Sequence, residues 1–249
     1  MDPLFDRPYN PFKTRTGSGA SYATRPGLIP LSQERLRRFH PGLWELKPWM
    51  FWLRRHYKEF QLFRIHVGEH LRYGLAEAAI VTQLDPLVIA CYSEELDCVA
   101  HLMFLDSMPE HPTAGKWYPE GLRAELVARH RLRVGSRLLA VNTFQPIDEE
   151  GYAPDLIPGP RARGVYGNFA PYIADFLTLA LDRVAERKRL VEDYEWQRCQ
   201  ELSDEYETHF VDSECYPRDG RPMMCLHGQE QEWIPGCEPP HVRSSTHGT

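Results

Sequence analysis

Three cysteines and two histidines crowd into residues 215–241, CYPRDGRPMMCLHGQEQEWIPGCEPPH, near the end of the 249-residue chain. Zinc takes four nitrogen or sulfur ligands in a tetrahedron, supplied as closely spaced pairs. Cys225 and His227, with one residue between them, make one pair; Cys237 and His241, with three between them, make a second. Nine residues separate the pairs, and Cys215 is left over. The second spacing is finger-like, whereas the first is tighter than the usual gap of about two to four residues. A structural zinc held by these four would staple a short polar loop and order the tail around it. The competing reading is a polar tail in which sulfur and imidazole fall together by chance.

A second constellation is HVGEH, residues 66–70. It fits the pattern H-x-x-E-H, in which two histidines four apart on one helix face bind zinc and the glutamate works as general base on the bound water. His66 and His70 would be the ligands and Glu69 the base of a zinc-dependent hydrolase. Val67 and Gly68 sit inside the required helix, and a run with strand-like alternation precedes it. A third protein ligand is also needed, and only loop residues such as Glu149 or Glu150 present themselves. The competing reading is a turn at Gly68 that carries surface histidines.

Other chemistry has less to stand on. There is no G-x-S-x-G, no P-loop and no G-x-G-x-x-G. Glu94, Glu95 and Asp97 group as an acidic hairpin tip that can hold a cation, although such a tip reads first as a solvated turn. Arg161 and Arg163 lie among glycines and can hold an anion. Arg35, Arg37 and Arg38 form one basic cluster and residues 129–133 another, each readable as a solvated helix face.

These residues must be positioned by a fold, which the patterning places in the α+β class. Ser32 is a suitable N-cap for a helix running to His40, stopped by Pro41 and Gly42. A second helix is expected near Pro48, with Trp49, Trp52, Leu53, His56 and Phe60 at spacings of three and four. Residues 60–67 read as a strand, as do AEAAIVTQL and SRLLAVNTFQ. Residues 87–92 and 98–105 are β-rich runs around the polar turn SEELD and predict a hairpin central in a sheet. LRAELVARHRL predicts a short helix. Residues 147–168 form a long Pro- and Gly-rich connection. From Asn168 as cap and Pro171 in the first turn, one long C-terminal helix is expected, covering one sheet face and then extending outward. The expectation is N-terminal helices packed on a mostly antiparallel sheet. Residues 1–30 would be a flexible arm, 31–206 a single domain, and 207–249 a polar tail.

The bulk composition narrows function by exclusion. Apolar residues make up 42% and charged residues 26%, ordinary globular usage. The formal net charge of −6 offers no excess of Lys and Arg for phosphates, so no nucleic-acid partner is expected. No apolar run approaches the roughly 18 to 20 residues that span a bilayer, and the N-terminus lacks an apolar signal core, so a cytoplasmic protein without a membrane role is expected. Its cysteines then read as free thiols, with Cys91 and Cys98 as small buried hydrophobes. With catalytic motifs scarce, the leading expectation is a non-enzymatic interaction module, of adaptor or inhibitor type, whose partner is another protein.

Overall fold

The computed structural model describes residues 23–41, 54–106, 119–147, 149, 151–209 and 217–222. Six strands form one sheet: β1 (Leu75–Leu84), β2 (Leu87–Ser93), β3 (Cys98–Phe104), β4 (Arg137–Pro146), β5 (Tyr166–Ile173) and β6 (Arg218–Asp219). Their order is β5-β4-β1-β2-β3-β6, antiparallel throughout except where β6 runs parallel to β3. The class is therefore α+β with a mostly antiparallel sheet. The hairpin pairs Leu87 with Phe104 through Ser93 with Cys98. Every residue of β2 is buried, which is why its sequence is a continuous apolar run rather than an alternation.

Register sorts the side chains, because residues directly opposite in an antiparallel pair share a face. Ala79, Cys91 and Ala100 line up on one face; Ile80, Ala90 and His101 line up on the other. The second face carries α6 (Asp193–His209), whose Cys199 Sγ donates to the Ala90 carbonyl at 3.5 Å. On the first face, Phe104 meets Phe39 of α1 (Gln33–Phe39) and Phe176 of α4 (Ala174–Leu177) at centroid distances of 6.3 and 5.5 Å. Ser32 caps α1 as expected, its Oγ accepting the Arg35 N–H at 3.3 Å.

The sheet curls until its two ends approach. Arg218 stands beside β3, yet its guanidinium donates to Asn168 Oδ1 at 3.0 Å and to the Phe169 carbonyl, both in β5. It also forms a bidentate pair with Asp155 at 2.5 and 2.7 Å, and both side chains are wholly out of water. Residues 217–222, which the sequence places within the tail, are thus held against the sheet. Gly220 N–H donates to the Met103 carbonyl at 2.9 Å, and a side chain at Gly220 would collide with the Phe104 ring.

Two sequence expectations are corrected. Residues 60–67 are not a strand but part of α2 (Arg54–Tyr73). Phe63, Val67 and Leu71 are buried at intervals of four while Ile65 is 53% exposed, a helical rather than an alternating pattern. The aromatic residues before Arg54 lie outside the described residues. The single helix from about residue 170 is replaced by β5 and three helices, α4, α5 (Leu181–Lys188) and α6. Asn168 and Pro171 lie in β5, an end strand, where a proline lacking an N–H is tolerated. The chain turns after α4 where Thr178 Oγ1 donates to the Pro30 carbonyl at 2.6 Å and accepts from Ala180 N at 3.1 Å. It turns again before α6, where Glu195 accepts the Glu192 N–H at 3.0 Å, the return bond of a capping box. The last helix does not project; it packs across β1, β2 and β3.

Residues 23–31 run as a strap along α2 and β1. Gly27 N–H donates to the Gly74 carbonyl and Leu28 N–H to the Arg72 carbonyl, each at 2.8 Å, and Pro26 bridges Leu75. No helix among the described residues is long and apolar enough to cross a membrane.

Candidate functional site

Helix α2 does bring His66 and His70 to one face, with ring centroids 6.5 Å apart. The two rings live in different surroundings. His66 is exposed and Glu69 half-buried, whereas His70 is buried. His70 Nε2 lies 2.7 Å from the Val141 carbonyl, which can only accept, so Nε2 carries the ring proton. The remaining lone pair, on Nδ1, faces Thr143 Oγ1 at 3.3 Å, and the ring stacks on Tyr172 at 3.9 Å. Burial, then the neighbouring His66, holds the His70 pKa down to about 3. Zinc needs a free imidazole lone pair, and here that lone pair points at a hydroxyl of β4. Among the described residues no three His, Cys, Asp or Glu side chains converge as a metal set. Cys225, His227, Cys237 and His241 lie outside the described residues.

The acidic hairpin tip is not a solvated turn. Asp97 is 1% exposed and is gripped by Arg198 at 3.2 Å and Arg161 at 3.3 Å. Burial pushes its pKa upward, but the Arg198 hydrogen bond, the Arg161 N–H and the two guanidinium charges hold it below the usual carboxylate range. Glu95 pairs with Arg163 at 3.0 Å. Arg161 and Arg163, whose sequence setting would allow them to hold an anion, thus pair with the carboxylates of this chain's own hairpin.

Sequence reasoning missed two buried polar groups inside the fold. Glu77 of β1 accepts the Glu94 N–H at 2.6 Å and the Asn142 side-chain amide, which also donates to the Tyr92 carbonyl at 2.8 Å. Above it Arg25 of the strap forms a bidentate pair with buried Glu195 of α6. Burial drives the Glu77 pKa up to about 8 despite these donors. On the other face, His101 Nε2 and Ser203 Oγ are 2.9 Å apart, the spacing of a base and a nucleophile. Both are 1% exposed, and burial holds the His101 pKa to about 4. The pair fastens α6 to β3, and substrate has no approach to it.

The surface feature with chemical content lies between α1 and α3 (Leu122–His130). Helix α1 carries the first basic cluster and α3 carries Arg129, the start of the second; sequence places them some ninety residues apart and the fold brings them together. Arg38 donates to Glu125 through Nε at 2.9 Å, and Arg129 reaches the same carboxylate at 2.9 Å. A groove of about 680 Å³ runs between the helices, with Glu34, Arg37, Arg38, Leu122, Glu125 and Arg129 on its walls. Glu125 is shared by two guanidiniums, and Arg37 makes no ion pair among the described residues. No local signal in either segment announces this meeting. The groove can hold carboxylates through Arg37 and the outer N–H groups of Arg38 and Arg129. No family model, curated protein or solved structure matches the chain.

Proposed function

We propose that the chain is a non-enzymatic, cytoplasmic interaction module that docks an acidic segment of a partner protein in the groove between α1 and α3. The observation that carries this reading is the convergence of Arg37, Arg38 and Arg129 on one groove, which Glu34, Glu120 and Glu125 also line, with Glu125 engaged by Arg38 and Arg129 and Arg37 left to meet a partner's carboxylate. A net charge of −6 over the whole chain disfavours a long nucleic acid, whereas a short acidic peptide meets only the local field. Exposed ion pairs contribute little individually and are screened by salt, so the contact is expected to weaken as ionic strength rises. The test is purification from the native host of wild type and Arg37→Glu side by side. The wild type should carry a partner that elutes with salt, and the variant should hold it about tenfold more weakly. A chain that runs alone, or a partner retained equally by the variant, overturns the reading.

A zinc-stapled tail through Cys225, His227, Cys237 and His241 is compatible with this role, and metal content tests it. Truncation must follow Pro222, because residues 217–222 belong to the sheet. Zinc lost on that truncation supports the tail site. Zinc kept by the truncated chain and lost on His66→Ala supports the hydrolase instead, which would need His70 to leave Thr143. Metal-free protein in every case removes both as native zinc sites.

A further inference from the structure

We propose that Arg35, Arg129 and His130, where α1 and α3 lie beside α4, form a binding site for a phosphoryl group. Arg35 makes no side-chain hydrogen bond or ion pair among the described residues, yet its Nε is buried without a partner. His130 Nε2 is likewise buried without a partner. Orphaned buried nitrogens are scarce in folded proteins, because each forfeits its bond to water without gaining another. Here two stand on neighbouring helices. The His130 ring is fixed on the protein side by Phe176, 5.0 Å between centroids.

The charges around them make the place short of anions. Burial first, joined by Arg35, Arg129 and Lys188 and opposed by Asp175, lowers the His130 pKa to about 4. Arg35 is also held below its ordinary value, by burial and then by Arg129, with Glu34 and Glu125 opposing. The nearby carboxylates are committed elsewhere. Asp175 accepts from Lys188 Nζ at 2.6 Å and from Leu139 N–H at 2.8 Å. Glu125 is divided between Arg38 and Arg129. Glu34 stands exposed on α1.

A tetrahedral dianion suits this set. It offers acceptors in several directions, matching Arg35 Nε–H, an outer N–H of Arg129 and a protonated His130 Nε2, whereas the acceptor sites of a carboxylate all lie in one plane. Binding takes up one proton from solvent onto His130, so occupancy raises the His130 pKa. Inorganic phosphate and a phosphorylated side chain share this chemistry. The site adjoins the proposed docking groove through Arg129 but does not rest on it.

The test titrates the full chain with inorganic phosphate and, separately, O-phosphoserine, following the His130 ring signals by NMR. Potassium chloride at matched ionic strength is the control. A saturable shift is expected near 10 mM or below, on the order of a weak single-anion site, with the His130 pKa moving toward the ordinary value near 6.5. Arg35→Gln should weaken binding about tenfold, the loss of one charge-assisted hydrogen bond, and Arg183→Ala, at an exposed arginine outside both sites, should leave it unchanged. Arg129→Gln serves as the second variant if Arg35→Gln lowers the melting temperature. The tighter of the two ligands identifies the source. No saturable shift, an equal shift with chloride, or undiminished binding in both arginine variants overturns the proposal. The groove reading is tested separately through Arg37, so either can fail alone.

Discussion

His70 shows how one hydrogen bond can decide what a residue does. The motif spacing put it beside His66, but the Val141 carbonyl and the Thr143 hydroxyl take its two nitrogens. Three other histidines share its fate: burial lowers His40, His101 and His130 to about 4. Their unfolded-state value is near 6.5, so the unfolded chain takes up protons first as pH falls. Their contribution to stability is present above that value and is lost as pH drops through 6.5 toward 4. Urea midpoints should therefore decline steeply between pH 6 and 4, and His101→Gln should flatten part of that slope. Glu77 works in the opposite direction. Its pKa rises from 4.5 to about 8, so its contribution is full below 4.5 and is lost as pH climbs through 8. The expected outcome for Glu77→Gln is a shallower fall in the midpoint from pH 5 to 8, whatever the substitution costs at pH 6. An unchanged slope would show that Glu77 ionises normally. Nothing in LAEAAIVTQL marked Glu77 as buried, because a strand covered on both faces hides either phase of its alternation.

At the scale of elements, the outcome turned on signals that compete locally. Strands β1 to β4 and helices α1 and α3 follow from periodicity and caps, and those signals agree with the tertiary contacts. Residues 60–67 carry apolar side chains compatible with two periods over a short window, and packing against the strap and β4 selects the helical one. Asn168 and Pro171 look like a helix start, but pairing with β4 from Tyr166 to Ile173 wins. The breaks at Thr178 and Glu192 contain neither Pro nor Gly, so the charged run to residue 209 read as continuous. The strap depends on close approach: a Cβ at Gly27 would collide with the Leu71 carbonyl oxygen. Gly27→Ala should therefore lower stability by about 1–3 kcal/mol, the usual cost of overpacking, read as a drop in melting temperature. A neutral result would mean that the strap shifts freely along α2.

For the whole molecule, the curl of the sheet depends on a contact that spans 63 residues of sequence, Arg218 to Asp155. Arg218→Ala leaves a buried carboxylate without its partner and is expected to cost about 3–5 kcal/mol in urea unfolding. The double change Arg218→Met with Asp155→Leu should recover much of that loss, since it removes both charges together. A double variant as unstable as the single one would locate the loss in Arg218's bonds to Asn168 and Phe169 instead. The amino-acid sequence alone determined the α+β class, the central hairpin and most strands, because side-chain period and turn chemistry act over a few residues. Tertiary structure decided that the hairpin's acids are neutralised from within, that two arginine clusters share one groove, and that residues 217–222 seal the sheet. Those outcomes depend on which distant surfaces meet out of water, and no local pattern encodes such meetings.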